Sequence, residues 1–140
     1  MPIAGFHFSK LTAERTKLFE ISDQIATDVK ITEILLEEIG SPKESLVKFI
    51  FTFNTTYGRA GKTEIEGQVL YIEETTKAKK VVEDWKKEKK TDVDLIRQVL
   101  NTILYRCNIK CLEIANEVGL PPHFDLPRFD VNQTPAPEKK

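Results

Sequence analysis

Gly58-Arg59-Ala60-Gly61-Lys62-Thr63 ends as a phosphate-binding P-loop ends, and of all segments in this chain its order most invites a chemical reading. A P-loop needs glycine at position 56, where Thr56 stands, and it must open a helix whose first amides hold phosphate. From Thr63 onward the pattern has period two, so these amides enter a β-ladder and the segment reads as a hairpin turn. Cys107 and Cys111 fall on one stripe of a helix and read as small buried hydrophobes. One helical turn holds them too far apart for an unstrained disulfide, and no further ligand has metal-site spacing. His7 lies on the strand face opposite Phe6 and Phe8, solvated or at an interface between copies, and His123 is expected to be exposed. Glu37-Glu38 and Glu73-Glu74 are adjacent pairs that point two ways, so neither makes an acid/base couple by itself. The expectation is a non-catalytic protein with no cofactor and no metal.

The totals agree with a binding role. The chain has 140 residues, enough for one domain with a real core. Its 21 basic and 22 acidic residues leave a formal charge of −1, so no global field draws in nucleic acid or an anionic membrane. No run approaches the length of a membrane span, and no basic segment precedes an apolar one as in a secretory signal, so a cytoplasmic location is expected.

The elements that carry these residues follow from periodicity. Residues 3–15 alternate at Phe6 and Phe8 and then change phase at Leu11 and Ala13, which predicts a strand with a bulge near Ser9-Lys10. Residues 16–28 read as a long connection, and a second strand is expected over Val29–Ile39. The clearest strand starts near Val47, with Val47, Phe49, Phe51, Phe53, Thr55 and Tyr57 on one face. After the turn, Ile65, Gly67, Val69 and Tyr71 share a face opposite Glu64, Glu66 and Gln68, giving a hairpin with one oily and one wet side. Thr75 or Thr76 can cap a short helix with the stripe Ala78, Val81, Val82 and Trp85. Asp92 can cap a longer one running to Val118, about 40 Å at the helical rise per residue. Gly119 supplies the left-handed stop and Pro121-Pro122 prevents resumption. The predicted fold class is therefore α+β, a four-stranded antiparallel sheet packed by one long C-terminal helix. It forms a single domain over residues 1–131, with a disordered tail over 132–140.

Placed at 100° intervals, Ile96, Val99, Leu100, Ile103, Cys107, Cys111, Ile114 and Val118 make the stripe that should lie on the oily sheet face. Tyr105, Ile109 and Leu112 gather on nearly the opposite side, where a helix covering one sheet should be polar. Three things can cover them: the chain's own arm (with Leu120, Phe124 and Leu126 as its apolar contacts), a second subunit, or a client. The row Phe49, Phe51 and Phe53 can be core under the helix. It can also line, with Phe6, Phe8 and Tyr57, a groove for apolar peptide, and both readings can hold along its length.

With this element order the chain resembles the SecB-type preprotein chaperones: four antiparallel strands with a long crossover between the first two, a long helix, then an extended proline arm. The most specific echo is Leu120-Pro121, Phe124-Asp125-Leu126-Pro127 and Phe129, similar to the Pro-x-Leu-Asn-Leu-x-Pro segment after the family's main helix. The resemblance covers roughly residues 3–131 and implies a homotetramer that holds unfolded chains on apolar grooves without ATP; for this chain a homo-oligomer, dimer or tetramer, is expected. The second C-terminal helix of the bacterial proteins has no counterpart here, and no motif matches their docking surface for the translocation ATPase. Unfolded or apolar polypeptide is thus the expected partner. A carrier of a small hydrophobic ligand, held beside Gly67 between sheet and helix, is the alternative.

Overall fold

The computed structural model describes residues 3–20, 22–40, 43–88 and 90–124. Four strands come first, β1 (Ile3–Arg15), β2 (Ile25–Glu38), β3 (Glu44–Tyr57) and β4 (Gly61–Glu74), followed by helices α1 (Thr75–Glu88) and α2 (Val93–Glu117). The strands form one antiparallel sheet in the order β1-β4-β3-β2. This is the expected α+β architecture, with the long helix following the sheet. Leu126 and the tail over 132–140 lie outside the described residues.

The period-two rows of β3 and β4 decide which face is covered. Val47, Phe49, Phe51, Phe53, Ile65 and Val69 are fully buried, together with Ala78 of α1 and Val99 and Ile103 of α2, so both helices sit on that one face. The opposite face is laced by ion pairs between strands: Lys10 with Glu64 and Glu66, and Lys48 with Glu37. Solvent screening leaves such exposed pairs little net stability, and they serve chiefly to keep that face wet.

The register of β1 against β4 shifts between Phe8 and Lys10, the bulge that the phase change predicted. β2 starts four residues before its expected beginning, at Ile25 rather than Val29. Its first inward positions are Ile25, Thr27 and Val29, and the polar Thr27 masks the alternation while its hydroxyl meets that of Thr55 at 3.3 Å. The shorter crossover that results, residues 16–24, carries the chain from one edge of the sheet to the other around the β3–β4 turn. Thr16 donates its amide to the Ala60 carbonyl at 2.7 Å, and Asp23 accepts from the Arg59 amide at 3.1 Å. The P-loop look-alike is therefore the post around which the crossover winds.

Helix α2 begins on the Asp92 side chain, which accepts from the amides of Asp94 and Leu95. It ends at Gly119, whose φ of 76° only glycine adopts freely. There Leu120 donates to the Ala115 carbonyl at 2.9 Å and Gly119 to that of Asn116 at 3.2 Å, the paired bonds of a Schellman stop. Its buried residues are Leu95, Val99, Ile103, Cys107, Cys111 and Ala115, a strict row of every fourth residue. Such a row winds around the helix as it advances, following a twisted sheet. That is why Leu95 and Ala115 escaped the straight stripe drawn from the sequence, and why Ile96, Leu100 and Ile114 are only partly buried.

Candidate functional site

The edge of the sheet carries two adjacent, partly accessible aromatic rings. Phe6 and Phe8 lie on the helix-facing side of edge strand β1, half-buried, with ring centroids 5.0 Å apart in an edge-to-face pair. Their backbone positions pair with Val69 and Gly67 of β4. Because Gly67 has no side chain, Phe6 can also reach the ring of Phe51 at 5.3 Å. Two cations of α2 overhang the pair: the Arg106 guanidinium stands 4.8 Å from the Phe6 centroid and the Lys110 ammonium 5.7 Å from that of Phe8. These cations were not legible in the sequence, because nothing local tells which helical turn crosses which edge residue.

The other four residues expected in a peptide groove are placed differently. Phe49, Phe51, Phe53 and Tyr57 are wholly inaccessible. They form the floor on which the helices rest, so no peptide reaches them while α1 and α2 stay packed. The Phe row is core along its described length, and the groove reading survives only at Phe6 and Phe8.

A polar cluster sits under the C-terminal half of α2. The Cys111 Sγ lies 3.3 Å from the Tyr57 hydroxyl, 3.4 Å from the Thr63 hydroxyl and 3.8 Å from that of Thr55, all buried. His123 comes back from beyond the helix end to join them, bonding Asn108 at 2.7 Å and meeting the Phe53 ring edge-on at 6.0 Å. The expectation of an exposed His123 is corrected: the Schellman stop turns the chain back and packs the imidazole against the core. Burial pushes the Cys111 thiol up, but His123, then Thr63 and Tyr57, outweigh it and hold its pKa at about 7. Cys107, one turn earlier, has burial and the neighbouring Cys111 to contend with and is pushed up to about 12. Both cysteines are free and buried, as expected, yet they are chemically unlike. Two threonines on the oily rows of β3 and β4 were the sequence signal for this cluster. Among the described residues no group of three His, Cys, Asp or Glu side chains is gathered closely enough to hold a metal.

The second apolar face of α2 is open. Tyr105 is 70% exposed and Ile109 46%, while Leu112 is half-buried. Tyr105 and Ile109 belong to a row of every fourth residue opposite the buried one, namely Val93, Arg97, Asn101, Tyr105, Ile109, Glu113 and Glu117, all exposed, and Leu112 lies beside it. The described start of the arm does not cover it. Leu120 is buried against Tyr57, Ala60 and Ala115 at the helix end, and Phe124 stacks on His123 and remains 44% exposed.

The space expected beside Gly67 for a small ligand is filled. A Cβ there would stand 2.8 Å from a ring carbon of Phe51 and collide with the His7 carbonyl. A cleft of about 600 Å³ lies instead between the two helices, lined by Tyr71, Val81 and Leu95 together with Lys77, Lys80 and Asp84. No described helix is long and apolar enough to cross a membrane.

Comparison with family models and with curated protein sequences finds no match. Among solved structures, the chain is similar to a SecB-like chaperone of Mycobacterium tuberculosis, determined in complex with a ChAD peptide from an antitoxin. The similarity has a TM-score of 0.52 at 9% identity and covers 94% of this chain and 92% of that one. The chain has a SecB-like fold.

Proposed function

We propose that this protein binds unfolded or apolar polypeptide segments on its surface, without ATP and without catalysis, as a homo-oligomer. The observation that carries the reading is the Phe6–Phe8 pair: two adjacent aromatic rings, partly open to solvent on an edge strand, flanked by cations. A monomer seldom leaves such surface beside a free strand edge unless something docks there. The structural neighbour's complex with a peptide supports the same class of ligand. The exposed Tyr105 and Ile109 support a contact between copies, since that row stays open to solvent on the single chain.

Light scattering from a chemically unfolded client, diluted with and without this protein, tests the proposal. Suppression of aggregation without nucleotide is the expected result. Unchanged aggregation at several-fold excess overturns it. A carrier of a small hydrophobic ligand has no supporting cavity beside Gly67, where Phe51 already fills the space.

A further inference from the structure

We propose that Cys111 is an oxidation site, a thiol that hydroperoxides convert to a sulfenic acid, and that the added oxygen expels residues 121–124 from their seat on α2. The proposal goes beyond the polypeptide-binding reading and does not depend on it. Its basis is the meeting of Cys111 with Asn108, on the same helix, and with His123 from the chain beyond it. The Asn108 Oδ1 can only accept, so the His123 Nε2–H donates to it at 2.7 Å. That bond selects the neutral tautomer whose lone pair is on Nδ1. Nδ1 is buried with no hydrogen-bond partner among the described residues, and it is the ring nitrogen left to take a proton. Burial opposes ionisation of Cys111, and His123 favours it. An imidazole oriented by a third group beside a thiol is the arrangement that activates a cysteine.

Cys111 itself has no exposed surface. His123, however, is partly exposed, and Pro122 and Phe124 on either side of it are exposed, so the thiol lies one side chain below solvent. A peroxide is small and uncharged enough to pass when that segment lifts. The Cys111 proton goes to His123 Nδ1, and the thiolate attacks one peroxide oxygen. The S–O bond forms as the O–O bond breaks, and the departing hydroxide takes the imidazolium proton and leaves as water. Sulfur is oxidised by two electrons and the peroxide is reduced. The new oxygen needs room that the sheet does not give, since the hydroxyls of Tyr57, Thr63 and Thr55 stand 3.3, 3.4 and 3.8 Å from Sγ on two paired strands. The other wall is His123, whose segment is tied back by the Asn108 bond and the edge-on Phe53 contact, so that wall yields.

The test treats the folded full-length protein with hydrogen peroxide and a cyclic 1,3-dione that traps sulfenic acids, and maps the adducts by mass spectrometry. Cys111 is expected to be trapped at least about tenfold faster than Cys107, which burial keeps protonated. Of the groups facing the sulfur, Tyr57 and Cys107 are pushed up by burial and Thr55 and Thr63 carry no charge, so His123 sets the pH profile. His123→Ala is therefore expected to slow trapping about tenfold near pH 7 and to match the parent at about pH 10, although it uncovers the thiol. Asn108→Ala, which leaves the imidazole without its positioning partner, is expected to slow it a few-fold. The ring-proton resonances of His123, shifted by the Phe53 ring, are expected to move to those of an exposed histidine on oxidation and to return with a dithiol. Equal trapping at the two cysteines, or at neither, overturns the oxidation site. A His123→Ala variant as reactive as the parent near pH 7 overturns the pairing. Unmoved His123 resonances once Cys111 is oxidised overturn the expulsion.

Discussion

Phe6, partly buried on the edge strand, meets at 5.3 Å and a tilt of 36° the ring of Phe51, which is wholly buried two strands away. Gly67, paired with Phe8 on one side and Phe51 on the other, makes room for that contact, since the Phe51 ring lies over it where a side chain would stand. The accessible aromatic surface is thus the outermost part of the core, and its position is set by packing rather than by a loop. Any side chain at Gly67 must displace the Phe51 ring and the β1 backbone. Gly67→Ala is expected to destabilise the fold by about 1–3 kcal/mol, the usual cost of overpacking, read as a lower urea midpoint.

Residues of the same type should respond oppositely to truncation. Phe51→Ala and Phe53→Ala empty the core and should cost about 3–5 kcal/mol. Phe6→Ala and Phe8→Ala remove partly buried rings at the sheet edge, so they should cost less stability than the core variants while client binding falls. Urea melts and aggregation assays on the four variants separate the two effects. A Phe8→Ala variant with full client protection would contradict the placement of the site.

The two cysteines should titrate apart. In a Cys107→Ala variant, the ultraviolet thiolate band of Cys111 should appear with a midpoint at about 7, below the usual 9.0. His123→Ala should move that midpoint upward. Because the folded pKa is depressed, the Cys111 contribution to stability is complete above the unfolded value and is lost as pH falls through about 7. Replacing Cys111 by Ser should therefore cost more stability at pH 9 than at pH 7. Cys107, pushed up to about 12, works the other way, and its contribution is lost as pH rises past the usual thiol range. A shared midpoint for both thiols would contradict the polar cluster.

The exposed row of α2 should govern self-association and little else. Tyr105→Glu places a charge at a position already 70% exposed, so the protomer should melt within about 0.5 kcal/mol of the parent. Solution mass by light scattering should fall to that of the single chain. An unchanged oligomer would place the contact elsewhere on the molecule.

Loss of the α2 cap gives a calibrated structural test. Asp92 accepts from two amides of the first turn, and Asp92→Ala should cost about 1 kcal/mol of stability. Client binding should not change.

Much of the architecture was legible because period-two rows and helix stops are local. Phe49, Phe51 and Phe53 announce a covered face, Gly119 and Pro121 announce the end of α2, and the phase change after Phe8 announces the bulge. The early start of β2 was hidden because Thr27 interrupts its apolar row, and its partner Thr55 is far away in sequence. The site was half legible. Six aromatic residues were candidates, but alternation cannot distinguish a row pressed under helices from one left at a sheet edge. Burial separates Phe6 and Phe8 from Phe49, Phe51, Phe53 and Tyr57 only once α2 is laid across β4 and β1. The Cys111 cluster depends on five side chains from β3, β4, α2 and the segment beyond it, a meeting that no spacing rule anticipates.

Photo-cross-linking puts the central claim to the most direct test. An unfolded client carrying a photoreactive phenylalanine analogue is mixed with the protein, irradiated and digested, and the adducts are mapped by mass spectrometry. The account predicts adducts concentrated on residues 3–8 and on the turn of α2 that holds Arg106 and Lys110. Adducts absent, or confined to the charged edge of β2, would contradict it.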